Sequence, residues 1–239
     1  MAYYEQQNKR RFLLGQQNNA LVMLISINLI VFCILAFIKL MYFVSAGDTA
    51  AEVIKYNTNF LQWIGLPADT GKLIARPWTV ITHMFVHDRI WHIIGNMIWL
   101  WVFGYIFQDF TGNKKIIPVY IYGALAGALA FILAYNFLPA LKPGLSQASA
   151  IGASAGIMAI AVATTMIAPD FRFFPFINGG IPLWVITLLY IIIDFATIPY
   201  SNHGGHIAHL AGAAMGFLFI YLMRRGHDWS EWMNNAYDW

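Results

Sequence analysis

The chain has 239 residues, of which 59% are hydrophobic and 10% charged, with a mean hydropathy of +0.60. A soluble domain carries about one quarter charged residues, so this composition excludes one and belongs to a membrane protein. The net charge of +3 is too small to point to nucleic acid, and the single cysteine, Cys33, excludes an intrachain disulfide.

Residues 1–19 read as a cytoplasmic N-terminal segment carrying Lys9, Arg10 and Arg11. The first apolar run, Ala20 to Val44, follows it. At roughly 25 residues it exceeds the ~7–15 of a signal-peptide core, so it reads as a retained first span. A long connection follows, from Ser45 to about Arg89. Its Phe60, Trp63, Ile64, Leu66 and Trp78 favour lying in the outer membrane interface over hanging in water.

A spanning helix needs about 20 mostly apolar residues. The second such segment is about Ile90 to Phe110, and the third about Lys115 to Leu138. The fourth is about Ser149 to Ala168, the fifth about Pro182 to Ile198 and the sixth about Gly205 to Met223. The fold class expected is therefore an all-α membrane protein, a bundle of six transmembrane helices occupying residues 20–225. Residues 226–239, with Trp229, Trp232, Tyr237 and Trp239, read as an interfacial cytoplasmic tail without chemistry.

Basic residues set the orientation. With the N-terminus inside, the short inner segments hold Lys9, Arg10, Arg11, Lys114, Lys115, Arg172, Arg224 and Arg225, an excess that places both termini in the cytoplasm. The second, fourth and sixth spans then run from outside to inside. Near their outer ends lie His92 and Asn96 in "HIIGN", Ser154 in "IGASAG", and His206 and His209 in "GGHIAHLAG". Ionisable residues inside a span are costly and mark functional sites by default. These lie at one depth, although charge alone set the topology.

Ser154 admits two readings. Gly152-x-x-x-Gly156 is a close-packing pattern for membrane helices. Gly-x-Ser-x-Gly also spells a serine-hydrolase turn. A serine nucleophile needs a base within about 3 Å and donors for the developing oxyanion. His209 is the expected base, with His206 one turn earlier as the alternative. The Ser154 N–H at a helix start, the Asn96 amide and the His92 ring can supply the donors. His92 and Asn96 can equally bond across helices. On the sixth span His209, Gly212 and Gly216 share a face, which would present His209 to a close neighbour.

"HDRIWHIIGNM", "GASAG" and "AHLAG", in this order, resemble the rhomboid family of intramembrane serine proteases. The resemblance covers the core motifs in residues 76–225 and implies a six-span rhomboid-like bundle. It further implies a cofactor-free serine endopeptidase that cuts transmembrane or juxtamembrane segments of other membrane proteins by a Ser–His dyad. The family's nucleophile falls on Ser154 and its base on His209, with Gly152 and Gly212 as supporting glycines. Its oxyanion pair falls on His92 and Asn96, and His87 matches a further histidine often seen there. The fifth span is generally viewed in the family as a substrate gate. Two departures stand out: Ala155 follows the serine where many members have glycine, and Arg76-Pro77-Trp78 stands where many have a Trp-Arg pair.

The same residues admit other readings. His83 and His87 are expected to organise the outer loop or bind water. Asp194 in the fifth span is expected to face water rather than orient His209 as a third catalytic member. The histidines make no convincing zinc site, since His206 and His209 are only three apart with no acid placed to join them. A pseudoprotease that binds membrane clients without cutting is the alternative function. A carrier is disfavoured because carriers place their sites near the midplane. The expected setting is a prokaryotic inner membrane, with the site opening to the non-cytoplasmic side. The expected partners are the lipid bilayer and membrane-protein substrates, without nucleic acid. Neither the oligomeric state nor the substrate is legible.

Overall fold

The computed structural model describes residues 19–46, 49–173 and 179–236. The basic N-terminal stretch and the last three residues, with Tyr237 and Trp239, lie outside the described residues.

Helix α1 spans Ala20–Ala46. Asn19 caps it, its Oδ1 accepting the N–H groups of Leu21 and Val22 at 3.0 and 3.1 Å. The long connection then folds as α2 (Thr49–Asn59), the two-residue strand β1 (Leu66–Pro67), α3 (Thr70–Ala75) and α4 (Thr79–Thr82). Asp69 caps α3 by accepting from the Lys72 N–H at 2.9 Å. Arg76 stacks 4.3 Å over the Trp63 ring and donates to the Gln62 carbonyl at 2.7 Å. The Trp78 indole donates to the Trp63 carbonyl at 2.7 Å. Arg76 thus finds a tryptophan 13 positions upstream, with no Trp-Arg pair needed.

Helix α5 (Ile90–Thr111) stops at Gly112, whose φ of 81° suits glycine and turns the chain into α6 (Ile116–Phe137). Strand β2 (Ser149–Ala150) pairs antiparallel with β1, tying the outer connection to the approach to α7 (Ser154–Ile167). Strands β3 (Arg172–Phe173) and β4 (Ile181–Pro182) lead into α8 (Leu183–Thr197). Helix α9 (His203–Arg224) and the short α10 (Glu231–Ala236) complete the described chain. The tail folds back: Lys115 pairs with Asp228, and the Tyr122 hydroxyl donates to the Trp229 carbonyl at 3.0 Å.

Four helices among the described residues, α1, α5, α6 and α9, are long and apolar enough to cross a membrane. Their outer faces expose large apolar side chains such as Ile30, Phe37, Trp101 and Phe217, as a lipid-facing surface does. Helices α7 and α8 are shorter, 14 and 15 residues. At 1.5 Å per residue α7 reaches only about 21 Å, against ~30 Å of hydrocarbon. The fourth segment therefore begins as helix at Ser154, not at Ser149. Its first residues are extended, and Gly152 takes a φ of 119° that bars a regular helix. Every residue from Ala155 to Thr164 is buried, so protein rather than lipid surrounds α7.

Small residues make that enclosure possible. A Cβ on Gly212 would lie 2.1 Å from the Ala155 carbonyl oxygen, and one on Gly216 2.1 Å from that of Ala159. A Cβ on Gly123 of α6 would lie 2.3 Å from the Ala159 Cβ. Helices α6, α7 and α9 thus meet almost backbone to backbone, as small-residue motifs allow. The pair Gly152 and Gly156 does not act as such a motif: Gly156 packs on Tyr120, while Gly152 is outside the helix.

Candidate active site

The N-terminal ends of α5, α7 and α9 converge on one cavity of about 660 Å³, lined among others by His92, Asn96, Trp99, Ser154, Tyr190 and His209. Ser154 is the first residue of α7, where N–H groups lack intrahelical acceptors and the helix dipole favours negative charge. Its hydroxyl lies 2.6 Å from His209 Nε2. The glycine contact explains the register. Gly212 abuts the Ala155 carbonyl, next in chain to Ser154, and His209 lies one turn before Gly212.

His206, the alternative base, points elsewhere. Its ring is 6.0 Å from that of His209, and its Nδ1 lies 2.7 Å from Asp194 Oδ1. Asp194 is not the water-facing carboxylate expected. It is 3% exposed, and both its oxygens lie 3.1 Å from His209 Nδ1. An ionised carboxylate only accepts, so it fixes the proton of His209 on Nδ1 and leaves Nε2 free to accept from Ser154. Tyr190, one turn before Asp194 on α8, sets its ring 6.4 Å from that of His209. The available signal for Asp194 was an acid inside an apolar run. Its partners depended on the rotation of α8.

His92 and Asn96 share a face of α5 directed at Gly152. A Cβ on Gly152 would lie 2.8 Å from His92 Nε2 and 3.6 Å from Asn96 Nδ2, so only glycine leaves both groups their place. Asn96 Nδ2 donates to His87 Nε2 at 2.8 Å. The Gly152 N–H donates to the His83 carbonyl at 2.9 Å, and His83 Nδ1 sits 3.0 Å from the Thr79 carbonyl. Both loop histidines are thus structural partners of the site's walls. Burial pushes the His83 imidazole down to about 4. Burial, with His92 alongside, does the same to His87.

Asp194, His206 and His209 bring three possible metal-ligand atoms within 4.8 Å of one another, so an acid does join the two histidines. The set does not fit an ion well. Ligands about 2.0–2.1 Å from a tetrahedral ion stand roughly 3.3 Å apart. Here the His206 and Asp194 atoms touch at hydrogen-bond distance, 2.7 Å.

A family model described as the rhomboid domain matches residues 75–226. The chain belongs to the rhomboid family. Among curated rhomboid relatives, it is 27% identical over 161 residues to RHOMBOID-like protein 12, mitochondrial, of Arabidopsis thaliana, covering 64% of this chain and 48% of that one. It is 28% identical over 145 residues to Rhomboid protein 1, mitochondrial, of Saccharomyces cerevisiae, covering 59% and 40%. Over 63 residues it is 32% identical to Rhomboid protease GlpG of Salmonella newport, covering 26% of this chain and 22% of that protein. The chain thus spans about half the length, or less, of the relatives it matches. The two mitochondrial names give no support to the expected prokaryotic inner membrane. The rhomboid match and the four long apolar helices make the protein an integral membrane protein.

Proposed function

We propose that this rhomboid is an intramembrane serine endopeptidase that cleaves transmembrane or juxtamembrane segments of other membrane proteins. The observation that carries the reading is the 2.6 Å contact between Ser154 Oγ and His209 Nε2. In the topology we propose, α7 and α8 complete six crossings with both termini on the cytoplasmic side. The cavity then opens to the opposite side, where water enters. Non-helical backbone such as residues 149–153 is tolerated at membrane depth where it lines such a cavity.

In the mechanism, a substrate segment enters from the bilayer and unwinds to present a carbonyl. Ser154 Oγ attacks the carbonyl carbon as its proton passes to His209 Nε2. The oxyanion forms near the Ser154 N–H, the Asn96 amide and the His92 ring, whose donors stabilise it. His209 gives its proton to the leaving amine, and water, activated by the same imidazole, releases the acyl group. A regular helix hides its backbone, so cleavage is expected near small or helix-breaking substrate residues.

The test is labelling of the purified, detergent-solubilised chain by a fluorophosphonate probe, beside Ser154→Ala and His209→Ala. Labelling that requires both residues is expected. A folded wild-type protein that takes no label would overturn the reading in favour of a rhomboid that binds clients without cutting.

A further inference from the structure

We infer that Asp194 is a positioning residue for His209, so that the base is oriented only while α8 is docked. The inference rests on the proposed Ser154–His209 chemistry. Four groups form one continuous chain: Ser154 Oγ to His209 Nε2 at 2.6 Å, His209 Nδ1 to both Asp194 oxygens at 3.1 Å, and His206 Nδ1 to Asp194 Oδ1 at 2.7 Å. The second histidine, which has no contact with Ser154 in this chain, holds the carboxylate from its other side.

The carboxylate does two things. As an acceptor it keeps the Nδ1–H tautomer of His209, the one that lets Nε2 receive the serine proton. Its negative charge also stabilises the imidazolium formed when that proton arrives. The balance is simple: one proton moves from Ser154 Oγ to His209 Nε2, and none passes on to Asp194.

What sets this arrangement apart is the element that carries the acid. Helix α8 is peripheral: Leu183, Thr187 and Asp194 are its only buried residues. Large apolar side chains, among them Trp184, Leu189, Ile193 and Phe195, cover its outer face. Packing apolar faces gains little in lipid, so polar contacts between helices matter more there. The inner face of α8 is tied by such contacts: Thr187 Oγ1 to Thr165 Oγ1 of α7 at 2.6 Å, and Asp194 to α9. Displacing α8 outward would withdraw the carboxylate from His209 while leaving Ser154 and His209, on the closely packed α7 and α9, in place.

The experiment measures fluorophosphonate labelling of the full chain in detergent, with the maximal rate and the half-saturating probe concentration resolved separately. It compares wild type, Asp194→Asn, Asp194→Glu and Thr187→Val, each checked for folding by its thermal transition. Asp194→Asn can turn its amide toward Nδ1 and fix the wrong tautomer. A fall in maximal rate of at least about a hundredfold is expected, with half-saturation little changed. Asp194→Glu is expected to recover part of the rate. Thr187→Val, which cuts the other tie of α8 and touches neither His209 nor Ser154, is expected to slow labelling while Asp194 is intact. The proton NMR spectrum should show a far-downfield His209 Nδ1–H signal in wild type that Asp194→Asn abolishes. Folded Asp194→Asn that labels at the wild-type rate would overturn the positioning role while leaving the protease reading standing. Thr187→Val labelling as wild type would overturn its dependence on α8. Failure of wild type itself to label would remove both the protease reading and this inference.

Discussion

Gly212 of α9 lies so close to Ala155 of α7 that a Cβ on it would stand 2.1 Å from the carbonyl oxygen. This contact is one residue from Ser154 in one direction and one turn from His209 in the other. It sets how closely Ser154 and His209 can approach each other. The obstacle is backbone, which cannot rotate away as a side-chain tip would.

Gly212→Ala is therefore expected to push α9 from α7 by a substantial fraction of an ångström. A misplacement of about 1 Å can cost on the order of a hundredfold in rate. Fluorophosphonate labelling should fall by that order, together with the thermal transition. Gly144→Ala is the control, because it lies outside the cavity lining and a Cβ there meets only the Tyr135 ring at 3.4 Å. Equal labelling by the two variants would refute the spacing argument.

Asn96→Ala removes one proposed oxyanion donor. Loss of a single donor costs about 10²–10³ in turnover. The decrease should appear in peptide cleavage as lowered kcat with KM little affected. Gly152→Ala should be at least as damaging, since its methyl would press on His92 Nε2 and its φ of 119° disfavours any side chain. A rise in KM at constant kcat for Asn96→Ala would place Asn96 in substrate binding instead.

Burial holds His83 and His87 down to about 4 from an ordinary 6.5. The folded state thus favours their neutral forms, while the unfolded chain takes up protons near 6.5. Their contribution to stability is complete above that value and drains away as pH falls toward about 4. The thermal transition in detergent should drop across this window. His83→Gln and His87→Gln should each flatten the slope, His87→Gln while also loosening its 2.8 Å partner Asn96. A transition independent of pH between 6.5 and 4 would contradict the assignment.

The crowding of Asp194, His206 and His209 at hydrogen-bond distance argues for a proton-bonded cluster. Exhaustive dialysis against EDTA should leave the rate of labelling unchanged. A chelator-induced loss, restored by adding back a divalent cation, would make the cluster a metal site after all.

Much of the layout was legible along the chain. Apolar runs separated by charged or glycine-rich turns give α1, α5, α6 and α9 nearly where they lie, because hydropathy is a one-dimensional property. That His92, Asn96, Ser154 and His209 lie near the N-terminal ends of their helices followed from counting residues into those runs. The start of α7 was not legible: "SAIGAS", residues 149–154, lacks a strong helix breaker in its apolar frame, but the backbone turns at Gly152 to clear His92 and Asn96. The environment of Asp194 is not legible along the chain for a related reason. A lone acid in an apolar helix announces that it needs a partner, without saying on which side the partner stands.

By itself, then, the sequence determined the membrane class, the order of the helices and the set of polar residues near one end of them. Composition, charge and residue spacing are fixed before the chain folds. Only the tertiary structure decided that His209 and not His206 meets Ser154, that Asp194 joins both histidines, and that Gly152 serves the wall of the cavity rather than a helix seam. Those outcomes depend on how far each helix is rotated and how closely α7 and α9 approach, and contacts between distant segments set both.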